Sequence, residues 1–411
     1  MDEYIYILIT SLVLFLIFIF SFFYLKKIIA PGVIFPLVWF CVIFISLFSG
    51  YFDLYVINSN ALLIYIFGAF VFSLTSIFFD KYIEWVIPVE KIKINNVRYD
   101  RLYLFFVIIS MIAIPLIINT LSTYGSTFSE IAYKVRQASV SGETIIPAYL
   151  SNYFILGGFI IPIIIYGYFS KKFKAKTFFF LFVSYGITNL FFLGRSSLIV
   201  LIFSLIYIYI LSGNKLNIKF VIFSFLFFFV ISYFGATLVK KVSVDNGNTI
   251  LLVIENIFNY AIQGPILFSR YVDGSISIKE NWDTLNSVCH VFSFLGWCEP
   301  IPKNADFSYF GFKSQQYGNV YTYYFSIIPK YSYLGLTFFT VFYSLLCNLV
   351  YRNSIRGGVL SIVYSSLFFS YIILTIFSDE FGYSFWLCVK FFIFYIVIFK
   401  VFGFYFVRSI K

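Results

Sequence analysis

The stretch MDEYIYILITSLVLFLIFIFSFFYLKK (residues 1–27) decides the fold class. Between Asp2-Glu3 and Lys26-Lys27 lies an uncharged apolar run over residues 4–25. A bilayer core about 30 Å thick needs about 20 apolar helical residues to cross it, and this run supplies them. A cleaved secretory leader starts basic and has a shorter apolar core. Here the acidic pair comes first and the run is too long, so a retained spanning helix is expected.

The rest of the chain repeats the pattern. Of its 411 residues 61% are hydrophobic and 11% charged, with a mean hydropathy of +0.93. Soluble domains carry about 25% charged residues, and no soluble fold of this length could hide so much apolar surface. Apolar windows of spanning length fall at residues 4–25, 30–49, 61–79, 102–121, 146–169, 177–194, 197–212, 218–238, 331–351, 357–378 and 382–407. The expectation is an all-α polytopic integral membrane protein with about eleven (about 10–12) transmembrane helices. Transmembrane β-strands would be short and alternating, whereas these runs are continuous. The organisation is helices one to eight over 1–238, a large loop over 239–330, and the last three helices over 331–411, in one membrane domain.

Charge supports this map. If the N-terminus lies outside, the inner loops hold Lys26, Lys27, Lys81, Lys91, Lys93, Arg98, Arg101, Lys171, Lys172, Lys174, Lys176, Lys215, Lys219, Arg352, Arg356, Arg408 and Lys411. The only acidic residues on that side are Asp80, Glu84, Glu90 and Asp100. Basic residues gather on the cytoplasmic side of membrane proteins. The net charge of +11 and pI of 9.2 are therefore signs of topology, not of nucleic-acid binding. The loop over 239–330 falls outside and carries most of the outer charge.

Within that loop, in ILLVIENIFNYAIQGPILFSRYVDG (250–274), the run over 250–263 is apolar except for a stripe of Glu255, Asn256, Asn259 and Gln263 at helical spacing. The spacing predicts a helix over 250–263 lying in the membrane boundary with its polar stripe facing outward, stopped by Gly264-Pro265. A twelfth spanning helix is the other reading. Further on lie His290, the one histidine of the chain, and Cys289 and Cys298, the two cysteines of the outer face. In an oxidising compartment they admit a disulfide closing a small loop around His290, or two independent thiols. Cys41, Cys347 and Cys388 fall within helices as packing residues.

Arg195, in the hairpin FFLGRSSLIV, sits at the start of an apolar helix. An arginine at that depth is costly unless it holds an anion, and a helix N-terminus favours anions as well. The alternative is an arginine reaching a lipid headgroup. Arg270, Arg136, Lys134, Lys240 and Lys241 are weaker candidates for the same anion. Lys390 lies inside the last apolar run, with Asp379-Glu380 just outside it as expected partners. One histidine, without an HExxH or a clustered acidic motif, argues against a dedicated metal site. Walker A and GxSxG patterns are absent as well. No cofactor is expected.

FLGRSSLIVL (192–201) and GNVYTYYFSIIPKYSYLGL (318–336), together with one large outer loop between the eighth and ninth helices, resemble the O-antigen polymerase family of bacterial oligosaccharide repeat-unit polymerases. The likeness of layout covers nearly the whole chain, and its motifs are short. One departure is that no Arg-x10-Gly pattern follows Arg136, Arg195 or Arg270. The resemblance implies a bacterial inner-membrane protein with its N-terminus periplasmic and its C-terminus cytoplasmic. It implies a metal-independent glycosyl transfer: a growing chain passes en bloc from undecaprenyl pyrophosphate to the terminal hydroxyl of an incoming lipid-linked unit. Implied partners are that lipid-linked oligosaccharide, membrane lipid, and a chain-length regulator and flippase of the same pathway. By position Arg195 matches the family's hairpin arginine, and His290 corresponds loosely to a suspected outer-loop base.

In this frame His290 is the first candidate base and Glu255 its substitute, as a boundary carboxylate whose proton affinity desolvation would raise. Arg195 and Arg270 would stabilise the leaving pyrophosphate. Asn319, Tyr321 and Thr322 would meet the sugar, while Tyr323 and Tyr324 suit an aromatic belt. The plainer reading of the whole segment is a belt and a helix cap at Asn319. A flippase for the same units would have short loops and charged helices lining a cavity. A membrane O-acyltransferase would set its histidine in or beside a helix.

Overall fold

The computed structural model describes residues 2–82, 90–141, 147–173, 185, 195–215, 217, 219, 249–277, 284–299, 308–312 and 316–405. It is nearly all-α. In chain order the helices are α1 (Asp2–Leu25), α2 (Pro31–Ile45), α3 (Ser59–Tyr82), α4 (Tyr99–Ser122), α5 (Phe128–Ser141), α6 (Ala148–Phe169), α7 (Arg195–Leu211) and α8 (Thr249–Val272). After these come α9 (Asn286–Phe292), α10 (Ile328–Ile355), α11 (Val359–Leu374), α12 (Glu380–Tyr383) and α13 (Phe385–Tyr395). A two-stranded antiparallel ribbon, β1 (Ser308–Tyr309) and β2 (Tyr317–Gly318), lies between α9 and α10.

Among the described residues six helices are long and apolar enough to cross a membrane: α1, α2 with its 3-10 extension to Phe52, α3, α4, α6 and α10. Their outward faces suit lipid. Leu16, Phe20 and Phe23 on α1, Met111 and Ile112 on α4, and Leu334 and Phe338 on α10 are all exposed. Prolines sit inside α2, α4 and α6. Membrane helices tolerate them because packing neighbours satisfy the freed backbone groups. The expected helices at 177–194 and 218–238 lie outside the described residues, apart from Tyr185 and Lys219.

The chain divides into two compact units. The first comprises Met1–Ile87, Ile254–Arg352 and Tyr371–Trp386. Here α1, α2 and α3 pack together, and rings fill the centre. Phe35 stacks on Phe72 with centroids 4.3 Å apart, and Trp39 on Tyr65 at 4.6 Å. Tyr323 and Tyr324, both buried, wedge against Phe35, Trp39 and Tyr65. The expected belt tyrosines are thus core residues. The second unit comprises Pro88–Val253, Asn353–Ser370 and Leu387–Lys411. In it Phe106 stacks on Tyr153, and Ser204 hydrogen-bonds the Ser366 carbonyl at 3.2 Å. Glu90 accepts from Leu360 N at 2.8 Å and Ser361 N at 3.1 Å, placing its charge on the N-terminal turn of α11, where the helix dipole favours it.

Three further sequence expectations change. The helix predicted to stop at Gly264-Pro265 runs on unbroken to Val272. Residues Ile262 to Ser269 are all buried, and packing of this run outweighs the backbone bond that Pro265 forfeits. Tyr65 donates to the Pro265 carbonyl at 3.0 Å. Gly264 lies so close to the Ile376 carbonyl that a β-carbon would collide with it. Gly-Pro is therefore a close-packing site here, not a stop.

The run over 382–407 is not one helix. It divides into α12 and α13, then a π-helical turn over Ile396–Val401 that ends before Gly403 at φ 62°. Finally, α10 starts at Ile328 and carries a left-handed Ser332 at φ 59° near its start, so Asn319 does not cap it.

Candidate functional site

In the first unit three residues of the polar stripe of α8, Glu255, Asn259 and Gln263, are engaged by the segment over 316–320. Asn259 Nδ2 donates to Gln316 Oε1 at 3.2 Å, and Gln316 Nε2 donates to Glu255 Oε1 at 3.4 Å. Gln263 is buried, and with its amide oriented by hydrogen bonding its Oε1 accepts from Asn319 N and Val320 N, both at 2.8 Å. Residues at i, i+4 and i+8 share one helix face. This face is what seats the segment from 316 to 320.

That seating places the β1–β2 ribbon beside the end of α8. The ribbon pairs Ser308 with Gly318 and Tyr309 with Tyr317. The two tyrosine rings lie 4.2 Å apart and their hydroxyls share a hydrogen bond of 2.6 Å. That bond raises the proton affinity of the Tyr309 hydroxyl above its ordinary value. Both rings are exposed. The backbone beyond β1 pairs in turn with the turn after α2: Tyr55 N donates to Phe310 O at 3.1 Å and Phe312 N to Asp53 O at 2.8 Å. Tyr55 is thereby set beside the ribbon.

Arg270, in the last turn of α8, is held between these parts. Its Nη1 donates to the Tyr309 carbonyl at 2.5 Å, and its guanidinium lies 4.3 Å from the centre of the Tyr55 ring. Two contacts thus aim the fork, and no ion pair to a carboxylate engages it among the described residues. Tyr309, Tyr317 and Phe312 form an exposed aromatic shelf next to that cation. A guanidinium with free donors matches phosphate oxygens, and flat aromatic faces match the apolar faces of sugars.

The same unit holds a second, buried cluster around Asp379, which the sequence suggests only as an ion-pair partner for Lys390. Asp379 is fully buried. Its Oδ2 accepts from Thr284 Oγ1 and from Tyr343 OH, the latter at 3.1 Å, and its Oδ1 accepts from Gly382 N at 3.2 Å. Burial pushes its pKa up to about 6 against these bonds, with the neighbouring Glu380 adding to the rise. Lys390 donates instead to Asn152 Oδ1 at 2.9 Å.

Other candidates are placed as follows. Tyr321 and Thr322 are buried, Tyr321 stacked on Phe325 with its hydroxyl toward Ser308 at 3.3 Å. Their burial leaves the exposed shelf to Tyr309 and Tyr317, which the sequence alone does not single out. The missed signal was Tyr309-Phe310-Gly311-Phe312 before Tyr317-Gly318, a short ribbon rather than a loop. Lys134 is paired with Glu130 at 2.9 Å. Cys289 and Cys298 form a disulfide, with Cα atoms 5.8 Å apart. Arg195 opens α7, Arg136 lies on α5 and His290 on α9, but their side chains are outside the described set. Lys240 and Lys241 lie outside the described residues. No protein-family model, curated protein or solved structure matches the chain.

Proposed function

We propose that the chain is a membrane-embedded polymerase of lipid-linked oligosaccharide repeat units, of the O-antigen polymerase type. On this reading about eleven helices span the bacterial inner membrane. The segment over 239–330 lies on the periplasmic side, with the N-terminus periplasmic and the C-terminus cytoplasmic. The observation that carries the proposal is Arg270, a guanidinium braced over Tyr55 beside the exposed Tyr309–Tyr317 pair. A pyrophosphate-linked glycan presents those two chemistries, an anion joined to sugar faces.

The reaction is a displacement at the anomeric carbon of the growing chain. The terminal hydroxyl of the incoming unit attacks that carbon. The bond to pyrophosphate oxygen breaks, and undecaprenyl pyrophosphate leaves with the electron pair. The hydroxyl proton passes to a base, for which His290 stands first and Glu255 second. Arg270 stabilises the leaving group.

The test is the lipopolysaccharide banding pattern after clean deletion of the gene. Collapse of the ladder to core plus a single repeat unit supports polymerisation. Loss of even that single-unit band would replace the proposal with a flippase. A full ladder that lacks only acyl groups would replace it with an O-acyltransferase.

A further inference from the structure

We infer that Asp379 is a positioning residue that holds the helix bearing His290 in place within the first unit. The inference rests on the polymerase reading for its catalytic meaning, and on geometry alone for the holding itself.

Helix α9 is short and cannot stand by itself, since isolated helices under about 12–15 residues are marginal. Its entry is fixed at several points. Thr284, just before α9, donates its hydroxyl to Asp379, and its backbone N–H donates to Ser326 O at 3.3 Å. Ser287, on α9, donates to Gly382 O. Tyr343 from α10 meets the same carboxylate oxygen, with its hydroxyl 2.8 Å from that of Thr284. Its ring stacks on Phe381 of α12 at 4.7 Å. Gly382 packs so tightly on Thr284 that a β-carbon there would overlap its carbonyl. At the far side the Cys289–Cys298 disulfide closes the segment after α9. One buried carboxylate therefore joins the chain entering α9 to α10 and α12.

The choice of aspartate is informative. A buried charge costs more than an apolar side chain of similar size, so simple filling would not select it. A carboxylate can accept from three donors arriving from three parts of the chain, and a fully satisfied buried network fixes a single arrangement. The neighbour of Cys289 in that fixed helix is His290. A base must be held within a fraction of an ångström of its proton. The groups that hold Arg270, the Tyr309 carbonyl and the Tyr55 ring, are not among the partners of the Asp379 carboxylate, so the variants leave the contacts of the shelf in place.

The experiment uses the full-length protein purified in detergent, with Asp379→Asn, Thr284→Val and Tyr343→Phe as variants. Two readings are taken: hydrogen exchange of residues 284–299, and kcat and KM with lipid-linked repeat units. We expect exchange over 284–299 to rise about tenfold in Asp379→Asn while peptides of α1 to α3 stay unchanged. We expect kcat to fall about tenfold or more with KM within about twofold. Thr284→Val and Tyr343→Phe, which each remove one donor and keep the carboxylate, should show the same pattern more weakly, and they stand in if Asp379→Asn fails to fold. Unchanged exchange over 284–299 in all three variants overturns the holding role. Raised exchange with unchanged kcat overturns the positioning role. If wild-type protein polymerises nothing, the polymerase reading fails, and the exchange data still decide the holding role by themselves.

Discussion

Gly318 and Gln263 meet with no room between them: a β-carbon on Gly318 would overlap the side-chain amide of Gln263. Gln263 in turn accepts the backbone N–H groups of Asn319 and Val320. The buried amide on α8 and the glycine on β2 together fix where the ribbon lies, and so where Tyr309 and Tyr317 stand beside Arg270. Gly318→Ala must displace the amide, and Gln263→Leu leaves two backbone donors unmatched. An unmatched buried donor costs about 1–3 kcal/mol. Both variants are therefore expected to lower the thermal midpoint of the purified protein by several degrees. A midpoint equal to wild type in Gln263→Leu would mean that the 316–320 segment is seated by something else.

Arg270 offers a separate test of the site. Arg270→Ala removes the anion fork, and Arg270→Lys keeps the charge but loses the fork and its stacking on Tyr55. Loss of one preorganised donor to developing charge typically costs about 100- to 1,000-fold in rate. Arg270→Ala should abolish long chains at normal protein abundance, and Arg270→Lys should leave mainly short ones. A wild-type ladder in Arg270→Ala would remove Arg270 from the site.

Much of the architecture was legible because it depends on composition. The run over 4–25 and its successors are apolar regardless of their neighbours, and α1, α2, α3, α4, α6 and α10 follow them closely. What was not legible depends on tertiary contact. Gly264-Pro265 has the local signature of a stop, yet the helix continues because the flanking residues are buried on every side. The stripe of Glu255, Asn259 and Gln263 was visible, but nothing local shows that the 316–320 segment covers it. Arg270 was named as a weaker cation, while its aromatic companions come from the ribbon and from the turn after α2, both distant in sequence. Asp379 suggests only a partner for Lys390 in the sequence, because the residues that do bond it, Thr284 and Tyr343, are far along the chain.

The disulfide gives a third test. Cys289 and Cys298 are bonded, whereas Cys41, Cys347 and Cys388 are free thiols. Denatured protein treated with a maleimide before and after reduction should gain two labels on reduction. Cys289→Ser, Cys298→Ser and the double variant should show the same small loss of stability, since each breaks one cross-link. An additional loss in the double variant would mean that the two side chains also act separately.

The pH dependence of Asp379 has a definite sign. Its pKa is about 6 in the folded chain against an ordinary 3.8, because burial penalises the charged form. Between those values the unfolded chain releases its proton while the folded chain keeps it. Folding stability from this group is therefore complete below about pH 4 and is lost as pH rises toward about 6. At about 1.4 kcal/mol per unit, the difference amounts to about 3 kcal/mol. The neighbouring Glu380 is already among the causes of that rise, and the nearby tyrosines Tyr343 and Tyr323 do not titrate between pH 4 and 7, so the sign stands. Asparagine at 379 cannot titrate. Thermal midpoints of wild type and Asp379→Asn measured from pH 4 to 7 should thus diverge, with the wild type losing ground relative to the variant as pH rises and the gap levelling off above about 6. Parallel curves over that range would show that Asp379 does not change its protonation there, and that its bonds to Thr284, Tyr343 and Gly382 outweigh the cost of its burial.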